Sequence, residues 1–492
     1  MESLNNIMFV GTGSDVGKSV IAAAFCRIFK QDGYQPAPFK AQNMSLNSYA
    51  TPEGLEIGRA QAVQAEAAGI PCQTDMNPIL LKPQSDHTSQ VVLNGRPAGN
   101  QSAGSYFRRE GREELRQVAC EAFDRLALRF NPIVLEGAGS ISELNLRDVD
   151  LVNMPMALHA HADVILVADI DRGGVFASVY GSIMLLSEEE RRHVKGIIIN
   201  KFRGDLTLFD KGRRILEELC HVPVLGVVPY FTDIHIEQED SMSLIGKSHS
   251  SQSSSATSQV HVAVVLLRHI SNFTDFDVLE RDPRIHLYYT NNPSDFEEAD
   301  IVILPGSKST IDDLYQLRRS GVAEAIIRAR RRGASVLGIC GGYQMMGREV
   351  CDPNHVEGET ERMPGLGLLP VTTTMSGEKR TRQVTCEYGQ GYEIHMGATT
   401  PLENPQPLLH LHDGTTDGYL VDQKCMGTYV HGILDNQPFI DYLLQPYAEK
   451  LQKTEAFDYA AYKQQQYDLL ADHVRRYVDI PAVYRLLNLK KH

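Results

Sequence analysis

No run of 18 or more apolar residues occurs anywhere in the 492-residue chain, which excludes a membrane-spanning helix. Positive charge is also short. Lys and Arg total 48 against 62 Asp and Glu, a formal charge of −14, so the surface lacks the basic excess that binding along a nucleic-acid backbone requires. A locally basic pocket for an anionic small molecule remains compatible with that balance. None of the eight cysteines (positions 26, 72, 120, 220, 340, 351, 386 and 425) forms a CxxC pair, which argues against a zinc ribbon and a disulfide scaffold and fits a reducing compartment. The start of the chain lacks the basic lead, long apolar stretch and small-residue cleavage site of a secretory signal, so a cytoplasmic protein is expected. No internal repeat is evident.

What is present is an ordinary globular composition, 42% hydrophobic and 22% charged, with length for two to four domains at about 100–200 residues each. One segment breaks the pattern. Residues 248–258 (SHSSQSSSATS) are serine-rich and without apolar periodicity, which suits a flexible linker or, as the alternative, a long surface loop. Before it, short apolar runs at 7–10, 37–40, 132–136, 163–168, 196–200 and 222–228 alternate with helical stretches. After it the rhythm returns at 260–267, 285–289, 301–304, 335–339, 391–394 and 426–430. Several runs are unbroken Ile, Val and Leu, as in strands buried on both faces of a parallel sheet. Both halves therefore read as α/β, with ligand sites at the carboxyl ends of strands. The expected division is 1–246, a linker at 247–259, a second domain at 260–444 and a helical tail at 445–492 that carries no chemistry.

In the first half, Gly11-Thr12-Gly13-Ser14-Asp15-Val16-Gly17-Lys18-Ser19 follows an apolar strand and opens a helix. Backbone N–H groups and the helix N-terminus there suit phosphate oxygens, with Lys18 reaching the β/γ-phosphates of ATP and the Ser19 hydroxyl ligating Mg²⁺. Thr12 stands where the strict phosphate-loop pattern has glycine; a glycine-rich turn without nucleotide is the alternative. Glu136, at the end of the 132–136 strand, is a candidate magnesium ligand or a helix-capping carboxylate. Asn200 ends another strand and is expected against the adenine edge, or is a plain turn residue. Asp169-Ile170-Asp171-Arg172-Gly173-Gly174 places Asp169, Asp171 and Arg172 at a further strand end, either to orient a substrate carboxylate near the γ-phosphate or as an Asp–Arg pair on a turn.

In the second half, the apolar strand at 335–339 runs into Cys340-Gly341-Gly342-Tyr343-Gln344, the pattern of a nucleophile on a sharp strand-to-helix turn. Leu304-Pro305-Gly306-Ser307 ends another strand and offers an oxyanion N–H from Gly306 or Ser307, beside that of Gly341. Gly427-Thr428-Tyr429-Val430-His431-Gly432 supplies His431 as the base that a cysteine nucleophile needs.

The phosphate loop resembles that of dethiobiotin synthetase and its relatives, G-T-x-[ST]-x-x-G-K-[ST]. Pro52-Glu53-Gly54-Leu55 and Leu135-Glu136-Gly137-Ala138-Gly139 are similar to further segments of that family. The resemblance implies a substrate-side lysine at Lys40 and makes Glu56 a further acidic ligand candidate for magnesium. The second half resembles class I glutamine amidotransferases, whose C-x-G-x-Q pattern includes Gln344. Class I triads carry Glu two residues after the histidine, where this chain has Ile433; the cobyrinate amidase subgroup tolerates that loss, and Asp435 or Glu393 are candidates for the orienting role. The fold implied is α/β: a P-loop NTPase-like, mostly parallel sheet of dethiobiotin synthetase type, followed by a flavodoxin-like amidotransferase domain.

Together with KAQNMSLNS (40–48), the 169–174 turn, NKFRGD (200–205) and GYEIHMG (391–397), the chain is similar to the cobyric acid synthase family over about residues 5–440. That resemblance implies ATP, Mg²⁺ and glutamine as requirements and a corrinoid polycarboxylate as substrate, amidated at its b, d, e and g carboxylates. Nucleic-acid and membrane partners are not expected, and the oligomeric state is not indicated. Lys40, Arg172 and Lys201 are the expected basic residues of the cleft. The sister a,c-diamide synthase has the same two chemistries, and a ParA/MinD-like ATPase switch is the non-enzyme alternative. The 11–16 segment lacks the second lysine of such switches.

Overall fold

In the computed structural model, residues 4–84, 88–102, 111–237, 259–404, 406–451 and 457–488 are described. The serine-rich 248–258 segment, expected as a linker, lies outside the described residues.

Six parallel strands form the first central sheet. In sequence they are Ile7–Gly11, Ala37–Phe39, Ile133–Glu136, Asp163–Asp169, Val194–Phe202 and Val224–Pro229. Numbered in that order they lie side by side as 6-5-4-1-3-2. The unbroken apolar runs are buried on both faces, as the absence of alternation required. Strand Ile7–Gly11 sits at the point where successive connections leave to opposite sides of the sheet, which opens a crevice at its carboxyl end. The phosphate loop and the helix Lys18–Gln31 begin there.

A second sheet repeats the plan. Val260–Val265, Ile285–Thr290, Ile301–Leu304, Ser335–Ile339 and Cys425–Thr428 run parallel, and Tyr419–Asp422 closes one edge antiparallel.

Two features depart from the sequence reading. A four-stranded sheet (Gln42–Met44, Ile79–Pro83, Thr88–Leu93, Arg96–Ser102) branches from the first half. The run expected at 391–394 belongs not to the central sheet but to a long antiparallel hairpin, Val371–Cys386 with Gly389–Pro401. Polar residues interrupt these strands, so none of them is an unbroken apolar run of the kind found in the central sheets.

The tail also has a definite place. Helix Tyr459–Tyr477 packs on helix Lys18–Gln31, and Leu470, Val474, Val483 and Leu487 share one buried cluster with Ile21, Phe25 and Phe29. Full burial of such side chains is worth about 1.5–3 kcal/mol each. Arg27 reinforces the contact with Asp468 at 2.7 Å and Gln464 at 2.9 Å. Among the described residues no helix is long and apolar enough to cross a membrane.

Candidate active sites

Two constellations form, one at the carboxyl end of each central sheet. In the first, Gly17 holds φ +99°, and a Cβ there would stand 2.1 Å from the Asn200 amide nitrogen. Only glycine fits this left-handed, crowded corner. Lys18 Nζ donates to the Gly13 carbonyl at 2.8 Å and the Gly139 carbonyl at 3.0 Å, so it lies between the loop and the Glu136–Gly139 turn. Ser19 Oγ donates to Glu136 Oε1 at 2.8 Å, Lys40 Nζ to the same oxygen at 2.9 Å, and Gln64 Nε2 to Oε2 at 2.6 Å. Glu136 is 1% exposed. Burial opposes its ionisation, yet Lys40 and the hydrogen bonds from Gln64 and Ser19 hold the carboxyl below its ordinary range. Ser19 and Glu136 thus present hard oxygen donors side by side, a set that fits Mg²⁺.

A cavity of about 1260 Å³ opens over this cluster. Lys18, Ser19, Lys40, Glu136 and Asn200 line it, and it runs along Gln42–Asn47 as far as Phe273 of the second half.

Several expected roles are revised by these contacts. Glu56 does not line the cavity. One of its oxygens takes Lys82 at 2.8 Å and the other takes Lys379 of the long hairpin, so it is an interdomain ion-pair residue and leaves the magnesium set. Asn200 lines the cavity, and its Nδ2 donates to the Val16 carbonyl at 2.9 Å, which braces the phosphate loop. Asp169 pairs with Lys201 at 3.1 Å and caps the Asp171 N–H at 2.8 Å, while Asp171 itself holds Arg203 at 2.8 Å. The 169–174 turn is therefore braced by its own ion pairs. Of its charged groups, Arg172 lines the cavity, 3.6 Å from Asp15. Arg112 and Arg147 also line it, basic residues that no motif had marked.

In the second constellation Cys340 adopts φ +52°, ψ −110°, a strained conformation for any residue with a Cβ, between strand Ser335–Ile339 and helix Gly341–Met346. The turn closes because Gly342 has no side chain: a Cβ there would meet the Leu304 carbonyl at 1.9 Å. Ser307 gives its hydroxyl to Asp313 at 2.6 Å and so presents backbone to the turn, where a Cβ on Gly341 would lie 2.8 Å from the Ser307 nitrogen. A Cβ on Gly306 would likewise lie 3.2 Å from the His431 ring. Gln344 accepts from the Thr310 hydroxyl at 3.1 Å and donates to the Tyr429 hydroxyl at 3.2 Å, which braces the nucleophile helix. Burial pushes the thiols of Cys26, Cys72 and Cys425 up, away from the reactive thiolate.

The orienting carboxylate for the histidine is Asp275, which the sequence reading missed. Its Oδ2 lies 2.7 Å from His431 Nδ1 and its Oδ1 accepts the Gly432 N–H at 3.0 Å, with both side chains almost fully buried. Burial works against a charged ring, but Asp275 and the hydrogen-bonded Cys340 sulfur outweigh it and push His431 up to about 10. The two earlier candidates are engaged elsewhere. Glu393 is held by Arg382 at 2.8 Å and Arg380 at 2.9 Å. Asp435 sits among Lys463, Arg59 and Glu237, burial pushing its carboxyl up to about 7. Tyr392 stacks on the His431 ring at 5.3 Å, and the Ile394 carbonyl approaches Cys340 Sγ at 3.6 Å.

Replacing Asp275→Asn is expected to lower glutamine turnover by about 10²- to 10⁴-fold, through loss of the imidazole's orientation and charge partner. A raised histidine pKa keeps the ring protonated to higher pH, so removing Asp275 moves the basic limb of the pH–rate profile downward from about 10. Glutamate release measured across pH checks both effects; an unmoved basic limb would assign the histidine's partner elsewhere.

Two family descriptions match the chain: the CobQ/CobB/MinD/ParA nucleotide binding domain over residues 7–244, and the CobB/CobQ-like glutamine amidotransferase domain over residues 261–439. The chain is 70% identical to the cobyric acid synthase of Bacteroides fragilis, with 99% of each chain covered. It is 66% identical to that of Phocaeicola vulgatus, again over 99% of each, and 46% identical to that of Citrobacter koseri over 98% of each.

Proposed function

The chain belongs to the cobyric acid synthase family, and we propose the following division of labour between its two halves. It is a glutamine- and ATP-dependent amide ligase, amidating the b, d, e and g carboxylates of adenosylcobyrinic acid a,c-diamide in cobalamin biosynthesis. In the amidotransferase half, Cys340 attacks the glutamine carboxamide, and backbone N–H groups around Gly341 and Gly306–Ser307 stabilise the oxyanion. His431, oriented by Asp275, protonates the departing ammonia, and water then releases glutamate from the thioester. In the ligase half, a substrate carboxylate takes the γ-phosphoryl group of ATP to give an acyl phosphate, and ammonia displaces phosphate to leave the amide. Gly13, Gly17 and the neighbouring loop backbone cradle the phosphates, and Lys18 offsets their charge. Ser19 and Glu136 would hold Mg²⁺, which when bound supplies charge neutralisation across the phosphate oxygens. Lys40 and Arg172 line the same cavity and suit an anionic substrate.

The observation that supports this reading most is the pairing of a Cys340–His431–Asp275 constellation and a lysine-bearing phosphate loop in one chain. The domain limits 1–246 and 260–444 fit that pairing, and eight unpaired thiols suit a cytoplasmic enzyme. Incubation with ATP, Mg²⁺, glutamine and adenosylcobyrinic acid a,c-diamide is expected to give four successive acid-to-amide conversions by mass spectrometry. An unchanged corrinoid would overturn the assignment.

A further inference from the structure

The segment that starts at Lys40 in the nucleotide site does not end there. Gln42 to Asn47 line the large cavity, and the chain then leaves it to touch the amidotransferase half at two places. At the first, two asparagines exchange side-chain-to-backbone bonds across the domains. Asn272 Oδ1 accepts the Ser48 N–H at 2.9 Å, and Asn47 Oδ1 accepts the Phe273 N–H at 3.3 Å. Asn272, itself left-handed at φ +53°, opens the short helical turn Phe273–Phe276, which carries Asp275. At the second place, the Tyr49 ring meets Tyr392 with centroids 4.6 Å apart, and Tyr392 is the ring stacked on His431. Strand Ser48–Ala50 therefore supports His431 from two sides, through its carboxylate partner and through its stacking partner. Asn47, Ser48, Asn272 and Tyr392 are all buried, so water does not replace these contacts when they shift.

We propose that Asn47, Ser48 and Tyr49 of the ligase half are positioning residues of the glutaminase site, and that through them occupancy of the nucleotide–substrate cavity sets the rate of glutamine hydrolysis. This inference rests on the functional reading above. The physical basis is geometric. The 2.7 Å Asp275–His431 bond weakens steeply when its angle or length is disturbed, and Asn272 and Tyr392 bear directly on it. A ligand that holds 42–47 in one arrangement favours that alignment by its differential contact with the segment.

The test uses the full chain and two positions that do not line the cavity. Asn272→Gly deletes the acceptor while keeping the left-handed backbone unstrained, and Tyr49→Ala deletes the ring. Glutamate release is measured with and without ATP plus the corrinoid substrate, and amidation is measured with ammonium as the nitrogen source. Both variants are expected to lose about tenfold in kcat for glutamate release and to lose its stimulation by ATP plus substrate, with KM for glutamine nearly unchanged. Ammonium-driven amidation should stay within about twofold of the parent, and Tyr49→Phe should restore the glutamine rate. Retained stimulation, a parallel fall of both nitrogen routes, or a Tyr49→Phe as damaged as Tyr49→Ala would overturn the proposal. A parent protein inactive with both nitrogen sources overturns the functional reading and this inference with it.

Discussion

Cys340→Ser is expected to abolish glutamine-driven amidation, by about 10³-fold or more, while ammonium-driven amidation continues. The substitution changes one atom, so packing in the tight turn beside Gly341 and Gly342 is preserved and loss of fold is not the cause. What is lost is the nucleophile. A hydroxyl is far less acidic than a thiol, and the pair with His431, whose ring is pushed up to about 10 partly by the Cys340 sulfur, is dissolved. The ligase cavity is lined by other residues, so free ammonia is expected to serve it without Cys340. Glutamate release and amide formation, measured on the same sample with each nitrogen source, separate the two. Full glutamine-driven activity in the variant would remove Cys340 from the nucleophile's role.

Lys18→Ala is expected to remove both routes, again by about 10³-fold or more, because acyl activation precedes either source of ammonia. Lys18 Nζ lies 2.8 and 3.0 Å from the carbonyls of Gly13 and Gly139, on the path between the loop and the Glu136 turn, where phosphate oxygens would replace those acceptors. ADP release and ammonium-driven amidation should both collapse. Basal glutamate release, which depends on Cys340, His431 and Asp275, should survive. Amidation that persisted with ammonium would separate the loop from the chemistry.

The two variants divide the enzyme cleanly, and that division was legible in the sequence because each motif is local. Lys18 and Ser19 sit in one nine-residue loop between an apolar strand and a helix. Cys340 sits on one turn whose small neighbours announce the sharp bend. What was not legible depends on distant partners. Asp275 meets His431 across 156 positions, whereas the rule that a class I triad places its acid two residues after the histidine reaches Ile433 and leaves Asp435 and Glu393 as the candidates. A usable signal existed in Phe273-Thr274-Asp275-Phe276, a carboxylate set between aromatic residues, since burying it demands a partner. Glu56 failed for the opposite reason. Its neighbourhood in sequence resembled a ligand segment, yet its burial is compensated by Lys82 and Lys379, the latter 323 residues away. The 169–174 turn held the right residue types for catalysis, but Lys201 and Arg203 satisfy its carboxylates from the next strand.

The tail helices change how the chain can come into being. Asn5 donates its backbone N–H to the Leu487 carbonyl at 2.8 Å, and the tail residues Leu470, Val474, Val483 and Leu487 help complete a cluster whose members outside the tail run from Leu4 to Ile234 of the ligase half. The ligase half is therefore the first to be synthesised and the last to be finished: its core waits until the amidotransferase half and the tail have emerged from the ribosome. A fragment cut in the serine-rich segment would hold every ligase motif and still leave Ile21, Phe25 and Phe29 without their cover. Opening the chain in that segment and joining its two ends would keep the Asn5–Leu487 bond and the shared buried cluster. The enzyme is separable by its chemistry but not by scissors.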